Sequence, residues 1–125
     1  MEQNTLSIII NKPAVQVFKF TTNPSNTHLW VPFVDEEIID KYPIKLGTIY
    51  KSRREKYWNE SKVTQFKINK LFKLENNKFS VKYKYEIIDE NKTKLIYIET
   101  IKQGTLTNKF EIKVLEKLKH IVELK

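Results

Sequence analysis

Tyrosines at alternate positions are the residues of this sequence best suited to chemistry. Residues 79–87 read FSVKYKYEI, with an apolar or aromatic residue at every odd position and a polar residue at every even one. Because successive side chains of a strand point to opposite faces, Phe79, Tyr83 and Tyr85 are expected on one dry face. Buried phenol hydroxyls need hydrogen-bond partners, and a cavity that holds a small molecule can supply them. We therefore expect binding of an apolar or amphipathic ligand.

Arg54 and Glu99 are the charged candidates. Arg54 shares a strand face with Tyr50, and Glu99 shares one with Tyr97. If these faces point inward, the guanidinium needs an anion, because burying an unpaired charge is costly. Either Arg54 and Glu99 pair inside the protein, or one of them receives a polar group of the ligand. The alternative is that Arg54 extends into solvent and Glu99 lies at the rim of the sheet.

Glu99 also supports an enzyme hypothesis. A carboxylate in an apolar pocket has its pKa raised towards neutrality, which suits a general base. With Tyr83, Tyr85 or Tyr97 it can act on a bound carbonyl, as aldol-type cyclisation requires. Tyrosines on a dry strand face are more often hydrogen-bonded core residues, so a non-enzymatic binding protein is the main expectation.

The residues needed for other classes of chemistry are absent from the sequence. There is no cysteine, and His28 and His120 have no neighbours at metal-ligand spacing. The sequence also lacks a glycine-rich phosphate loop and a nucleophile elbow. We expect no metal and no cofactor.

Charge and hydropathy limit the partners. The net charge is +8, but only Arg53 and Arg54 among the 23 basic residues are arginines, and the lysines are dispersed. Nucleic-acid recognition favours clustered arginine, so we expect no nucleic-acid partner. The first residues do not resemble a signal peptide, and no apolar run is long enough to cross a bilayer. The expectation is a cytoplasmic protein without stable membrane insertion.

Turn signals and periodicity predict the elements that position these residues. Pro13 suits the first position of a short helix that ends near Phe20, and Asn23-Pro24 begins a second that ends near Trp30. The pattern then stays β as far as residue 102. The expected strands cover residues 5–10, 35–41, 48–58, 61–69, 71–75, 78–88 and 93–102, with Thr64, Phe66 and Ile68 on one face of the fourth.

The C-terminal segment has the period of an amphipathic helix. Asn108 followed by Glu111 resembles a capping box, and the helix is expected to run for about four turns. Its apolar arc should pack against the dry face of the strands. The arc contains Phe110, Val114, Leu118, Ile121 and Val122.

The last strand is apolar on both faces, since Ile96 and Ile98 alternate with Leu95 and Tyr97. Either a second copy of the chain covers its outer face in a homodimer, or the isoleucines only satisfy strand propensity.

Five segments, together with the closing helix, carry a resemblance to a known family. They are PAVQVF at 13–18, Asn23-Pro24 to Trp30, GTIY at 47–50, FSVKYKY at 79–85 and TKLIY at 93–97. In this order they resemble the START-like (SRPBCC, polyketide-cyclase-like) superfamily, which has the helix-grip fold. The resemblance implies one α+β domain over residues 1–125. Its curved seven-stranded antiparallel sheet would wrap around a long C-terminal helix, with two short helices between strands 1 and 2.

The resemblance also implies a function. Such proteins bind small hydrophobic or amphipathic ligands, lipid-like or polyketide-like, in a cavity between the sheet and the C-terminal helix. The alternatives are a polyketide cyclase or aromatase that uses Glu99, and an Hsp90-activator-like interaction module whose cavity is filled by side chains. Trp30 either gates the cavity or plugs the end of the sheet. The expected wall consists of Trp30, Phe33, Tyr50, Phe66, Tyr83, Tyr85, Tyr97 and Phe110, with Arg54 and Glu99 as polar anchors.

Overall fold

The structure is a computed structural model that describes residues 2–105 and 109–125. Within these residues the chain forms seven strands, three α-helices and one 3₁₀-helix. Their bounds are β1 (Glu2–Ile10), α1 (Ala14–Thr22), the 3₁₀-helix (Pro24–Asn26), α2 (Thr27–Trp30), β2 (Glu36–Ile39), β3 (Ile49–Arg54), β4 (Tyr57–Lys67), β5 (Leu71–Glu75), β6 (Phe79–Asp89), β7 (Lys92–Ile101) and α3 (Ile112–Glu123).

The strands form one sheet in the order β1-β7-β6-β5-β4-β3-β2, and every neighbouring pair is antiparallel. Strand β1 pairs with β7 although the two are far apart in sequence, so the sheet depends on a long-range closure. Tyr83 and Leu6 lie on either side of Tyr97 on the face that carries the core, which we call the inner face. The predicted α+β class, with seven antiparallel strands and short helices after the first, is confirmed.

The predicted signals at the helix starts are close to the observed ones. Pro13 occupies the N-cap of α1, one residue before its predicted position, and its carbonyl accepts from Val17 N at 3.1 Å. Asn23 caps the 3₁₀-helix, where its side chain accepts from Ser25 N at 3.0 Å. Val31 is extended because it precedes a proline.

The predicted strand 48–58 is wrong, because it consists of two strands joined by a tight turn. β3 ends at Arg54 and β4 begins at Tyr57, which leaves Glu55 and Lys56 in the turn. Glu55 has φ 57°, a left-handed conformation that glycine or asparagine usually supplies. Its backbone N–H donates to Asp35 Oδ2 at 2.7 Å, which fixes the turn. Because Glu55 and Lys56 occupy the turn in place of glycine or asparagine, the sequence gives no recognisable signal for it.

A β-bulge in β4 changes the predicted alternation of residues 61–69. The pairing with β5 shifts between Val63 and Gln65, so Val63 and Phe66 both point to the inner face. Thr64 and Ile68, predicted to share the face of Phe66, are exposed instead.

Helix α3 is shorter than predicted, with 12 residues instead of about four turns. Phe110 precedes the helix, and Glu111 occupies the N-cap without a side-chain hydrogen bond. The predicted capping residue Asn108 lies outside the described residues. The apolar arc is confirmed at Leu118 and Val122, which are fully buried.

Helices α1 and α3 cover one half of the inner face, and side chains fill the space between. Six of these residues have no exposed surface: Ile10, Val17, Leu95, Leu115, Leu118 and Val122. Fully burying an aliphatic side chain contributes roughly 1.5–3 kcal/mol, so this packed half supplies much of the stability.

The outer face of β7 carries Ile96 and Ile98, and both are half-buried. Their neighbours on β6 are Lys84 and Lys82, whose alkyl stems can cover the isoleucines while the ammonium groups stay in water. The homodimer stays a prediction.

Candidate ligand-binding site

A cavity of about 550 Å³ lies over the other half of the inner face and is partly open to solvent. The 27–37 segment, the β3–β4 hairpin, the ends of β6 and β7, and Phe110 surround it. No described residue of α3 lines it, because side chains fill the predicted position between sheet and helix. The lining residues are Thr27, Val31, Phe33, Val34, Glu37, Ser52, Arg53, Arg54, Tyr57, Trp58, Asn59, Ser61, Leu74, Phe79, Ser80, Val81, Tyr83, Tyr97, Glu99, Thr100, Ile101 and Phe110.

Three aromatic rings form a continuous wall of the cavity. Phe110 stacks on Tyr97 with ring centres 4.7 Å apart and planes 3° from parallel. Tyr83 meets Tyr97 edge to face at 5.3 Å. Burial raises the pKa of both tyrosines well above the ordinary value of 10.0, so their hydroxyls stay protonated at neutral pH. The wall is apolar with two phenol groups set in it.

Glu99 lies beside this wall and accepts hydrogen bonds from three elements. Its Oε1 accepts from Asn4 Nδ2 on β1 and from the backbone N of Phe110, both at 2.8 Å. Its Oε2 accepts from the Tyr97 hydroxyl at 3.2 Å. The side-chain amide of Asn4 also donates to the Phe110 carbonyl at 3.0 Å. Glu99 thus fastens the segment before α3 to the sheet.

Glu37 is a second, partly buried carboxylate in the cavity, and the sequence prediction missed it. It lies on β2 directly opposite Ser52, whose hydroxyl donates to Glu37 Oε2 at 2.6 Å. The Thr27 hydroxyl donates to Oε1 at 2.5 Å. Burial raises the pKa of Glu37 above its ordinary value of 4.5, although the two hydrogen bonds oppose this. The sequence did contain a signal for this position: Glu37 and Ile39 are two residues apart in the strand, so their side chains lie on the same face.

The Tyr83 hydroxyl has no hydrogen-bond partner among the described residues, although the residue is only 7% exposed. Tyr83 lines the cavity, so the hydroxyl is available to a molecule inside it. The other tyrosine of the wall, Tyr97, is already bonded to Glu99.

Arg54 and Phe33 lie at the mouth of the cavity. The Arg54 guanidinium carbon is 4.7 Å from the centre of the Phe33 ring, and both side chains are exposed. Among the described residues Arg54 and Glu99 do not pair, which was one of the alternatives, and Arg54 is exposed, as another alternative has it. β3 and β7 lie in different parts of the sheet, and Glu99 takes its partners from β1, β7 and the Phe110 segment.

Four of the ten predicted site residues belong to the core and not to the cavity lining. Tyr50 donates to the Thr22 carbonyl at 2.6 Å, and the Tyr85 hydroxyl bonds to Thr21 Oγ1 at 2.6 Å. Trp30 is buried behind the wall, edge to face with Tyr83 and Phe110, and does not gate the cavity. The remaining one is Phe66, packed against Phe18 and Phe72.

Neither a metal-ligand cluster nor a membrane-spanning helix is found in the described residues. No group of three or more His, Cys, Asp or Glu side chains there could hold a metal ion. His28 and His120 are both exposed and lie on different helices. Within residues 2–105 and 109–125, no helix combines the length and apolarity needed to cross a bilayer.

Comparison with known proteins relates the fold to solved structures. No protein-family model and no curated protein matches the chain. A conserved protein of unknown function from Enterococcus faecalis superposes with a TM-score of 0.78 and 13% identity, over 97% of this chain and 71% of that one. A Mesorhizobium loti protein gives 0.73 at 12% identity, over 98% of each chain. An uncharacterised Bacillus thuringiensis protein gives 0.72 at 12%, over 99% and 100%. At these identities the likeness shows the fold alone.

Proposed function

We propose that this chain is a START-like helix-grip domain that binds one small amphipathic molecule in the cavity beside Phe110. The cavity itself carries the proposal: a partly enclosed space of about 550 Å³ with an aromatic wall and a Tyr83 hydroxyl to which no described residue is hydrogen-bonded. Ligand sites are usually concave spaces of about 300–1,000 Å³, mostly apolar, with a few polar groups that orient the ligand.

The volume sets the size of the ligand. At about 30 Å³ for each water-sized group, 550 Å³ holds about 18 non-hydrogen atoms. At about 0.3 kcal/mol per atom, such a ligand gains about 5 kcal/mol, a dissociation constant of about 100 µM. Tighter binding requires its polar end to meet the carboxylate and hydroxyl groups of the wall.

Two observations favour a binding protein over the alternatives. A general base needs oxygen atoms that are free to take a proton from substrate, whereas Glu99 holds three internal donors. An interaction module with a cavity filled by side chains would leave no such space.

A pair of variants on β6 tests the proposal. Val81 lines the cavity, and Val81→Phe adds four carbon atoms inside it. Lys82→Phe puts the same ring on the outer face of the same strand and is the matched control. Native mass spectrometry of each protein, purified gently from its host, looks for a co-purifying molecule, and an NMR titration with decanol measures binding directly.

We expect wild-type protein and Lys82→Phe to bind decanol, with amide shifts around Val81, Glu99 and Phe110. Val81→Phe should bind at least tenfold more weakly. Thermal denaturation of each variant checks that the fold is intact. The proposal fails if wild-type protein does not bind decanol, or if folded Val81→Phe binds it as well as wild type does.

A further inference from the structure

Two carboxylates that line the cavity form no ion pair with a described residue. Glu37 and Glu99 both line it, and every ion pair between described residues uses other carboxylates. Arg53 and Arg54 also line the cavity, but Arg53 pairs with Glu36, Arg54 lies over the Phe33 ring, and among the described residues neither forms an ion pair with Glu37 or Glu99. A carboxylate with little access to water and no cation partner is costly to ionise, so Glu37 and Glu99 favour a ligand that brings a cation.

Glu37 has the capacity to receive such a cation. An ionised carboxylate accepts about four hydrogen bonds, and only the hydroxyls of Thr27 and Ser52 donate to Glu37 among the described residues. Both donors are neutral, so they leave the negative charge uncompensated. Glu99 differs, because three donors already surround it.

The Tyr83 hydroxyl is an independent indication of a ligand at this place. The residue is 7% exposed and lines the cavity, and its hydroxyl has no partner among the described residues. Burial raises the pKa of Tyr83 well above 10.0, so the hydroxyl stays protonated, and Glu37 and Glu99 line the same cavity. The Tyr83 oxygen can accept an N–H from a molecule in this cavity.

The aromatic wall suits the same chemistry. The rings of Tyr83, Tyr97 and Phe110 line the cavity together, and the face of an aromatic ring attracts a cation within about 6 Å of its centre. A primary ammonium has three donors, enough for Glu37, Tyr83 and water. An alcohol supplies only one donor and no charge.

We infer that the cavity selects amphiphiles with a cationic amine at the polar end, which Glu37 and the Tyr83 hydroxyl hold while the apolar part packs on the aromatic wall. This inference rests on the proposed function and specifies the chemical class of its ligand.

Three compounds with the same chain and different head groups test the inference: decylamine, decanol and decanoate, titrated separately at pH 7 and followed by NMR. Wild-type protein is expected to bind decylamine at least tenfold more tightly than decanol, and decanoate most weakly. In Glu37→Gln the preference for the amine should fall to less than threefold. Glu86→Gln, which removes an exposed carboxylate on the outer face of β6, should keep the full preference.

The possible results separate the two proposals. If decanol binds to wild-type protein as tightly as decylamine does, the inference is overturned while the proposed function stands. If Glu37→Gln folds and keeps the full amine preference, Glu37 does not hold the amine and the inference is overturned. If none of the three compounds binds, the proposed function fails and the inference fails with it. The ranking of head groups on wild-type protein needs no variant, so a Glu37→Gln protein that does not fold leaves the test valid.

Discussion

Replacing Glu99 by alanine tests whether this residue fastens the Phe110 segment to the sheet. The change removes the acceptor for Asn4 Nδ2 and Phe110 N, both at 2.8 Å, and for the Tyr97 hydroxyl at 3.2 Å. A hydrogen bond to a charged group contributes about 1.5–3 kcal/mol, and two short ones would give about 3–6 kcal/mol. Water from the adjacent cavity can reach the abandoned donors, so we expect a loss of about 3 kcal/mol.

The loss should appear in thermal unfolding followed by circular dichroism. With about 2.1 cal/mol/K of unfolding entropy per residue, a 125-residue chain gains about 0.26 kcal/mol/K on unfolding. A destabilisation of about 3 kcal/mol then lowers Tm by about 11 °C. Urea titration of the same samples gives the free energy of unfolding directly.

Glu99→Gln is the matched control. Its amide oxygen can still accept from Asn4 and Phe110, and its amide nitrogen can donate to the Tyr97 hydroxyl. We expect this variant to lose about 1 kcal/mol or less. A loss below about 1 kcal/mol for Glu99→Ala would refute the fastening role. Equal losses in both variants would mean that the charge, and not the set of acceptors, stabilises the segment.

Three further predictions concern other parts of the chain. Burial raises the pKa of Glu37 above 4.5, so the protonated side chain stabilises the fold below about pH 4.5, and this contribution is lost as the pH rises through the folded-state pKa. Between pH 4 and 8 the urea midpoint of wild-type protein should therefore fall relative to that of Glu37→Gln. Parallel curves for the two proteins would contradict this. Tyr85→Phe should lose about 1 kcal/mol of unfolding free energy in urea, because the Tyr85 hydroxyl bonds to Thr21 at 2.6 Å. Tyr83→Phe should stay within about 0.5 kcal/mol of wild type, because no described residue bonds to the Tyr83 hydroxyl. Equal losses in the two variants would count against this difference. Leu118→Ala should lose about 3 kcal/mol because Leu118 is fully buried, while the exposed control Leu124→Ala should be nearly neutral by the same assay; a small loss at Leu118 would mean that the core refills the space.

Strand alternation predicted which face each tyrosine occupies but not where on that face it lies. Tyr83 and Tyr85 both point inward, as the pattern of residues 79–87 indicates. Tyr85 meets Thr21 of α1, while Tyr83 reaches the cavity. The difference depends on where the helices end on the sheet, and this is a property of tertiary packing that a period of two does not contain.

For the charged residues too, strand alternation does not predict which side chains meet. Arg54 and Glu99 share the inward alternation, yet β3 and β7 are not neighbours in the sheet order. The actual partners of Glu99, Asn4 and the Phe110 backbone, come from the strand closure and from a segment without regular structure. Glu37 was missed because two neighbouring glutamates in a short strand are typical of a solvated edge, and only the pairing with Ser52 turns one of them inward.

The inner face is divided into a packed half under α1 and α3 and a hollow half closed by the segment at Phe110. The residues that fill the first half, such as Leu115 and Val122, do not line the second. Leu115 and Val122 therefore contribute to stability alone, whereas the buried wall residues Tyr83, Tyr97 and Glu99 belong to the core and to the cavity lining at once. Lining residues at the exposed rim, such as Phe33 and Asn59, lie outside the core, so changes there can adapt one scaffold to ligands of different shape.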